Sequence, residues 1–186
     1  MEVLVVYESV FGNTHEVADA VAEGIRSASP SSQVRVAPVG EVTAEQAGAA
    51  DAVVVGGPTH MRGMSHRRTR HAGAEGERKA AAERGQEPHV EHDAEGPGLR
   101  EWFDSLPRQR TAVPAAAFDT RAGPWIAGGA SHGIVRRLRK HGFDVVAEEG
   151  FTIEGQEPVH LQDGELDRAR RWGADLQHLL EHGERT

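Results

Sequence analysis

The sequence predicts an α/β fold, a three-layer sandwich in which a five-stranded parallel sheet is covered by helices on both faces. Two observations carry that prediction. Short continuous apolar runs, Val3-Leu4-Val5-Val6-Tyr7 and Ala52-Val53-Val54-Val55 among them, read as strands buried on both sides, since a half-exposed strand would alternate apolar with polar residues. Such runs recur five times with segments of helical period between them, and that alternation closes most economically into a parallel sheet with right-handed crossovers.

The first strand, 3–7, runs into a tight turn, and the period then changes. From Thr14 onward Val17, Val21 and Ile25 fall on one helical face with Ala18 and Ala22 beside them, and Ser29-Pro30 ends the helix. Val34, Val36 and Val39 suggest a second strand. The third, at 52–55, is stopped by Gly56-Gly57-Pro58, with one or two helical turns at about 43–49 before it. Residues 61–98 differ in kind, crowded with Arg, His, Glu and Gly and nearly free of large apolar side chains. They are expected to supply no core, to form a surface excursion helical at about 75–84, and to be most mobile over 87–98.

Order returns at Leu99, Trp102, Phe103 and Leu106, whose spacing marks one face of a short helix. A fourth strand follows at 112–118, with Pro114 confined to its first residues because it lacks an N–H. Gly128-Gly129 precedes a helix of about 130–141, in which Ile134 and Leu138 face inward, Arg136, Arg137, Arg139 and Lys140 face solvent or the last turn, and Gly142 caps the end. Phe143, Val145 and Val146, then 151–153, make a fifth, interrupted strand. Leu166, Ala169, Gly173, Leu176 and Leu180 give the closing helix its buried stripe.

The 186 residues suit one domain of ordinary size. A formal charge of −8, from 21 Lys and Arg against 29 Asp and Glu, argues against nucleic acid as a partner and suits docking on a basic one. Without cysteine, thiolate nucleophiles, iron–sulfur ligation and disulfides are excluded, so redox chemistry would need a bound cofactor. The chain starts at once with a strand and holds no apolar run of the about 18 residues a membrane span needs, so cytoplasmic residence without membrane insertion is expected.

Open parallel sheets bind ligands beyond the carboxyl ends of their strands. There Ser9-Val10-Phe11-Gly12-Asn13-Thr14 follows the first strand and opens the first helix. Gly12 permits close approach or an unusual dihedral, Ser9 and Thr14 offer hydroxyls, and Asn13 offers an amide. With unpaired helical N–H groups they can surround a phosphate without Lys or Arg. The plain alternative is a Ser/Thr-rich turn with an ordinary cap. Neither the Gly-rich loop with Lys-Ser or Lys-Thr of triphosphatases nor the three-glycine dinucleotide fingerprint is present, so a monophosphate fits better than either.

Residues 5–14, followed by Val17-Ala18 and Ile25, resemble the flavodoxin signature, whose loop wraps the terminal phosphate of FMN. The resemblance implies a flavodoxin-like sandwich with strand order 2-1-3-4-5 and noncovalent FMN held at Ser9, Val10, Phe11, Gly12, Asn13 and Thr14. It places Pro58, Thr59, His60 and Met61 in the first loop bordering the isoalloxazine ring, and Phe118, Asp119, Thr120 and Arg121 in the second. Gly63-Met64-Ser65 and the Gly-Glu-Leu-Asp at 164–167 are similar to an actinobacterial-type group of flavodoxin domain proteins. A response-regulator domain shares the topology but needs a phosphoacceptor Asp after its third strand, where Gly56-Gly57-Pro58 stands.

The ring-flanking loops depart from the family pattern, which often has Trp in the first and Tyr in the second. His60 or Met61 is the candidate for one face of the ring and Trp125 for the other, Trp125 being equally a core residue. Arg121 has two readings: a guanidinium beside the ring that stabilises negative charge on reduction, or a partner of Asp119 or solvent.

The resemblance implies an FMN-binding redox protein transferring electrons to or from a redox partner protein or a small-molecule acceptor. Two alternatives stand beside it: an oxidoreductase acting on a quinone-like or porphyrin-like substrate, with Arg121 and the 61–98 excursion as a wall above the ring, and a non-catalytic interaction module. Other signals are weaker. Eleven histidines, including those of His89-Val90-Glu91-His92-Asp93, offer metal ligands, but the motif matches no hydrolase pattern and its flanks promise no ordered platform. Arg67, Arg68 and Arg70 read as solvated basic surface, and Ser131-His132 lacks the surroundings of a hydrolase elbow.

Overall fold

The computed structural model describes residues 1–60, 63–123, 128–155 and 159–182. In chain order the strands are β1 (Glu2–Tyr7), β2 (Gln33–Pro38), β3 (Ala52–His60), β4 (Gly63–Met64), β5 (Pro114–Arg121), β6 (Asp144–Glu154) and β7 (His160–Leu161). The α-helices are α1 (Asn13–Ala28), α2 (Ala44–Ala49), α3 (Arg67–Arg84), α4 (Leu99–Ser105), α5 (Ala130–Lys140) and α6 (Glu165–His182). No helix among the described residues is long and apolar enough to cross a membrane.

The sheet corrects the expectation of five strands, for among the described residues it has seven, in the order β2-β1-β3-β5-β6-β7 with β4 on β3. The five long strands are mutually parallel, and the two additions are antiparallel pairs of two residues each. Both additions arise where a long strand overruns its parallel neighbours. Parallel pairing of β3 with β5 ends at Pro58, and the half-buried Thr59 and His60 pair with Met64 and Gly63. Pairing of β5 with β6 ends at Thr152, and Ile153 and Glu154 pair with Leu161 and His160. Backbone groups past the last parallel partner thus find one in the returning chain.

Gly56-Gly57-Pro58 was expected to stop β3, yet the strand runs through it to His60. The glycines serve space rather than a turn: a Cβ on Gly56 would lie 2.0 Å from Phe118 Cζ, and one on Gly57 would lie 2.7 Å from Leu99 Cδ1. The expected interruption of the fifth long strand is instead a bulge. Ala115 pairs with Val145 and Ala116 with Ala147, which leaves Val146 over and lets the consecutive Val146 and Ala147 pack on the same face. Pro114 is the first residue of β5, as its missing donor requires.

Alternation along each strand divides the core. Leu4, Val6, Val53 and Val55 pack on one face with Phe103 of α4 and with Ile134 and Leu138 of α5. Val3, Val5, Val54 and Phe118 pack on the other with Val17, Val21 and Ile25 of α1 and with Ala169, Leu176 and Leu180 of α6. Helices α1 and α6 cross backbone to backbone. A Cβ on Gly24 would stand 2.1 Å from the Arg170 carbonyl oxygen, and one on Gly173 would stand 2.2 Å from that of Val21.

The polar excursion is more helical than its composition suggests. Helix α3 spans 18 residues and ends at Gly85, whose φ of 66° is the left-handed cap glycine favours. It buries only Arg70, Ala74 and Ala81, so its attachment is ionic. Arg70, expected on the solvated surface, is 1 % exposed. Its guanidinium lies 3.9 Å from buried Glu8 and 3.4 Å from Glu101, and it donates to the Gly96 carbonyl at 3.1 Å. Glu8 in turn accepts from the Ser65 hydroxyl and from the Leu99 N–H, the latter at 2.8 Å. This network ties the end of β1, the start of α3 and the start of α4 together beside the loop that follows β1.

Candidate functional site

That loop, between Tyr7 and the first turn of α1, lies at the carboxyl edge of the sheet. The Ser9 hydroxyl accepts from the Gly12 N–H at 3.1 Å, and Gly12 turns the chain with φ 88°, a left-handed conformation that disfavours any side chain. Glu16 N–H to Gly12 O, 2.9 Å, then starts the helix. Among the described residues no side chain caps α1, so the first-turn N–H groups of a 16-residue helix remain for another acceptor. Just inside, the Thr14 and Thr120 hydroxyls share a hydrogen bond of 2.8 Å, and the Asn13 amide donates to the Val159 carbonyl at 3.1 Å.

Nine residues singled out in the sequence line one cavity of about 100 Å³: Ser9, Val10, Phe11, Asn13, Thr14, Pro58, Thr59, His60 and Thr120. Ile153 and Val159, not foreseen, complete the wall. Their connection follows β6, more than 130 residues from the loop it faces, and carries no local signal of that approach. Gly12 lies outside the cavity, beneath His89 and Glu91: a Cβ there would meet His89 Nε2 at 3.3 Å and Glu91 Oε1 at 3.7 Å. Phe118 lies behind the site in the core, T-shaped against Phe151. Met61 and Trp125 lie outside the described residues.

Asp119 and Arg121 face away from the cavity and pair with each other, Arg121 Nε to Asp119 Oδ1 at 2.5 Å. Arg121 also donates to the Ser131 hydroxyl at 3.1 Å. Asp119 Oδ2 accepts from the Thr59 hydroxyl at 3.0 Å and from the Ser131 N–H at 2.9 Å, while Thr59 Oγ1 accepts from the Ala130 N–H at 2.9 Å. Thr59 and Asp119 therefore satisfy the N-terminus of α5. Burial pushes the Asp119 carboxyl above its ordinary range, against the Ser131 N–H and the Arg121 guanidinium, which favour the carboxylate.

Among the described residues no acidic side chain lines the cavity, although the chain carries a net charge of −8. The one titratable group in its wall, among the described residues, is His60, whose Nε2 is buried and makes no hydrogen bond. Burial lowers the His60 imidazole below its ordinary value; Glu8 opposes that shift and Arg70 adds to it. The site thus presents hydroxyls, an amide, free helical N–H groups and a neutral imidazole. That donor set suits a phosphate dianion.

Residues 4–70 match the family model described as a flavodoxin domain. A flavodoxin from the domain Archaea superposes over 98 % of this chain and 100 % of its own, with a TM-score of 0.60 at 22 % identity. The fold is that of the flavodoxins. Flavodoxin 1 of Bacillus cereus gives a TM-score of 0.64 at 16 % identity, covering 98 % of this chain and 99 % of its own. A flavodoxin of Aquifex aeolicus (strain VF5) is 45 % identical over 60 residues, 32 % of this chain. That match spans about a third of the length of this curated relative, 32 %.

The donors of Ser9, Asn13 and Thr14 are of a kind that fits the phosphate of FMN, whereas the space beside them is tight. About 100 Å³ is well below the roughly 300 Å³ at which pockets for ligands of flavin size begin. A larger cavity of about 580 Å³ lies across Phe11, Asn13 and Val159, which line both. The Asn13 to Val159 hydrogen bond belongs to the shared wall.

Proposed function

We propose that this chain is an FMN-binding redox protein that takes up and passes on electrons through a noncovalently held flavin. The observation that carries the reading is the uncapped N-terminus of α1 behind Ser9, Asn13 and Thr14, in a cavity that no carboxylate lines among the described residues. Ser9, Asn13 and Thr14 would hold the phosphate with the first-turn N–H groups, and the 58–60 loop would border the ring. When bound, the flavin supplies the electron-accepting chemistry, and the protein supplies position and electrostatics. His60, kept neutral by burial, offers a hydrogen bond without adding charge. Electron exchange with a partner protein or a small acceptor needs only an exposed ring edge, and the acidic excess favours a basic partner surface. The Gly63-Met64-Ser65 and 164–167 segments support grouping the chain with actinobacterial-type flavodoxin domain proteins.

One observation favours a second reading, the non-catalytic module. Asn13 and Thr14 already have partners, and the 100 Å³ cavity needs the 159–161 connection to shift before a ring can enter. The oxidoreductase reading has less support, because its main residue, Arg121, is held by Asp119 and Ser131 away from the cavity. Fluorescence titration of FMN with the purified protein separates the two. Stoichiometric quenching, weakened in Ser9→Ala and Thr14→Val, supports the redox protein; no quenching at any concentration supports the module.

A further inference from the structure

Beside the loop, the turn after α3 gathers a second set of chemically capable side chains. One donor atom each from Glu91, His92 and Asp93 lies within 4.8 Å of the others. A single divalent ion spans such a spread after small side-chain adjustments, since ligands at about 2.0–2.2 Å from a metal stand about 3–4 Å apart.

The backbone beneath is fixed, contrary to what the composition of the flanks suggests. Glu91 N–H donates to Val10 O at 2.9 Å, Ala94 N–H to Glu91 O at 3.2 Å, and Gly96 N–H to Asp93 O at 2.8 Å. The first bond anchors the turn on the neighbouring loop and the other two close it.

The charges there lack an ordinary counter-ion. The side chains of Glu91 and Asp93 are only 21 % and 19 % exposed, and among the described residues their ion partners are histidines, His15 at 3.0 Å and His92 at 3.9 Å, with no Lys or Arg. Half-buried carboxylates in that position call for a cation. His15 is itself fixed, stacked on Tyr7 with ring centroids 4.4 Å apart and an interplanar angle of 13°. Its Nδ1 reaches Glu91 Oε1 while Nε2 lies 3.6 Å from Asp19, so it can donate to Glu91 and hold that carboxylate in a binding orientation.

We propose that Glu91, His92 and Asp93 form a site for one divalent transition-metal ion, with His15 orienting Glu91. An imidazole with two carboxylates suits Zn²⁺, Co²⁺ or Ni²⁺ better than Mg²⁺ or Ca²⁺, which favour oxygen ligands throughout. The exposure of His92 leaves room for water in the remaining positions. None of the three ligands lines the 100 Å³ cavity, so the site needs no flavin to form. Through the Glu91 to Val10 bond, a metal held there also stiffens the segment packed on Gly12.

Calorimetric titration of the metal-stripped full chain with Zn²⁺ tests this, with Co²⁺ absorption as a second readout of coordination. One equivalent should bind, and affinity should fall about tenfold or more in His92→Ala and in Asp93→Asn. Circular dichroism of both variants should match the parent, since the changes lie on a surface turn. The double variant His178→Ala/His182→Ala removes two imidazoles one turn apart on α6, a spacing that captures metals adventitiously, and should leave the equivalent intact. Binding that survives His92→Ala, that vanishes in the α6 variant, or that is nowhere tighter than about 1 mM overturns the proposal.

Discussion

The hydroxyls of Thr14, in the first turn of α1, and Thr120, near the end of β5, meet at 2.8 Å with both residues buried. This bond joins the two loops at the candidate site directly. Thr14→Val or Thr120→Val alone leaves the other hydroxyl without its partner and should cost about 1–3 kcal/mol in urea unfolding. The double variant should cost less than the sum of the singles, and strict additivity would mean that the bond contributes nothing to the fold.

Arg70 is expected to matter far more than its neighbours Arg67 and Arg68, which are exposed. Arg70→Ala strands the buried Glu8 carboxylate and should destabilise by about 3–5 kcal/mol. Adding Glu8→Gln should recover part of that loss, whereas Arg67→Ala should stay within about 0.5 kcal/mol of the parent. Equal midpoints of chemical denaturation for Arg70→Ala and Arg67→Ala would contradict the network.

Gly173→Ala tests the crossing of α1 and α6. In an open helix the change would gain about 1 kcal/mol of propensity. Here the new methyl meets the Val21 carbonyl at 2.2 Å, and overpacking of about 1–3 kcal/mol should win, lowering Tm. A raised Tm would show that the helices can separate at little cost.

Acid should lower the stability of the protein over two ranges of pH. The folded-state value of His60 is lowered, chiefly by burial, so its contribution is complete above 6.5, the unfolded value, and fades as pH falls through the folded one. For Glu165, burial alone would raise the value, but donation from Arg168 and from the Thr152 N–H lowers it overall. Its contribution is complete above 4.5 and is lost as pH falls through the folded value. His60→Phe should flatten the part of the stability profile that begins below 6.5, and Glu165→Gln the part below 4.5. A His60 imidazole titrating at its unfolded value by NMR would remove the basis for the first range.

How much of the site was legible follows from how local each part is. The loop at 9–14 is a strand end, a turn glycine, two hydroxyls and a helix start within a few residues, and nine of the residues read from 9–14 and the two ring-flanking loops do meet in one cavity. Ile153 and Val159 were invisible because nothing in their own neighbourhood marks them; they matter through contacts with chain far away. Arg121 had two sequence readings; on β5, Asp119 and Arg121 stand two residues apart on one face and pair, while Thr120 lines the cavity.

The sequence by itself determined the alternation of buried strands and helices, the position of the loop at the carboxyl edge and the apolar faces of α1 and α6, because these depend on periods and spacings within single elements. Tertiary structure alone decided that Arg70 is buried, that the sheet gains β4 and β7, and that the turn at 91–93 is anchored on the loop after β1. A composition rich in Arg, His and Glu predicts solvent exposure for each residue taken singly. Whether a given charge is buried depends on the groups that distant segments bring to it, here Glu8 and the bare Gly98, where a Cβ would stand 2.2 Å from the Arg70 guanidinium.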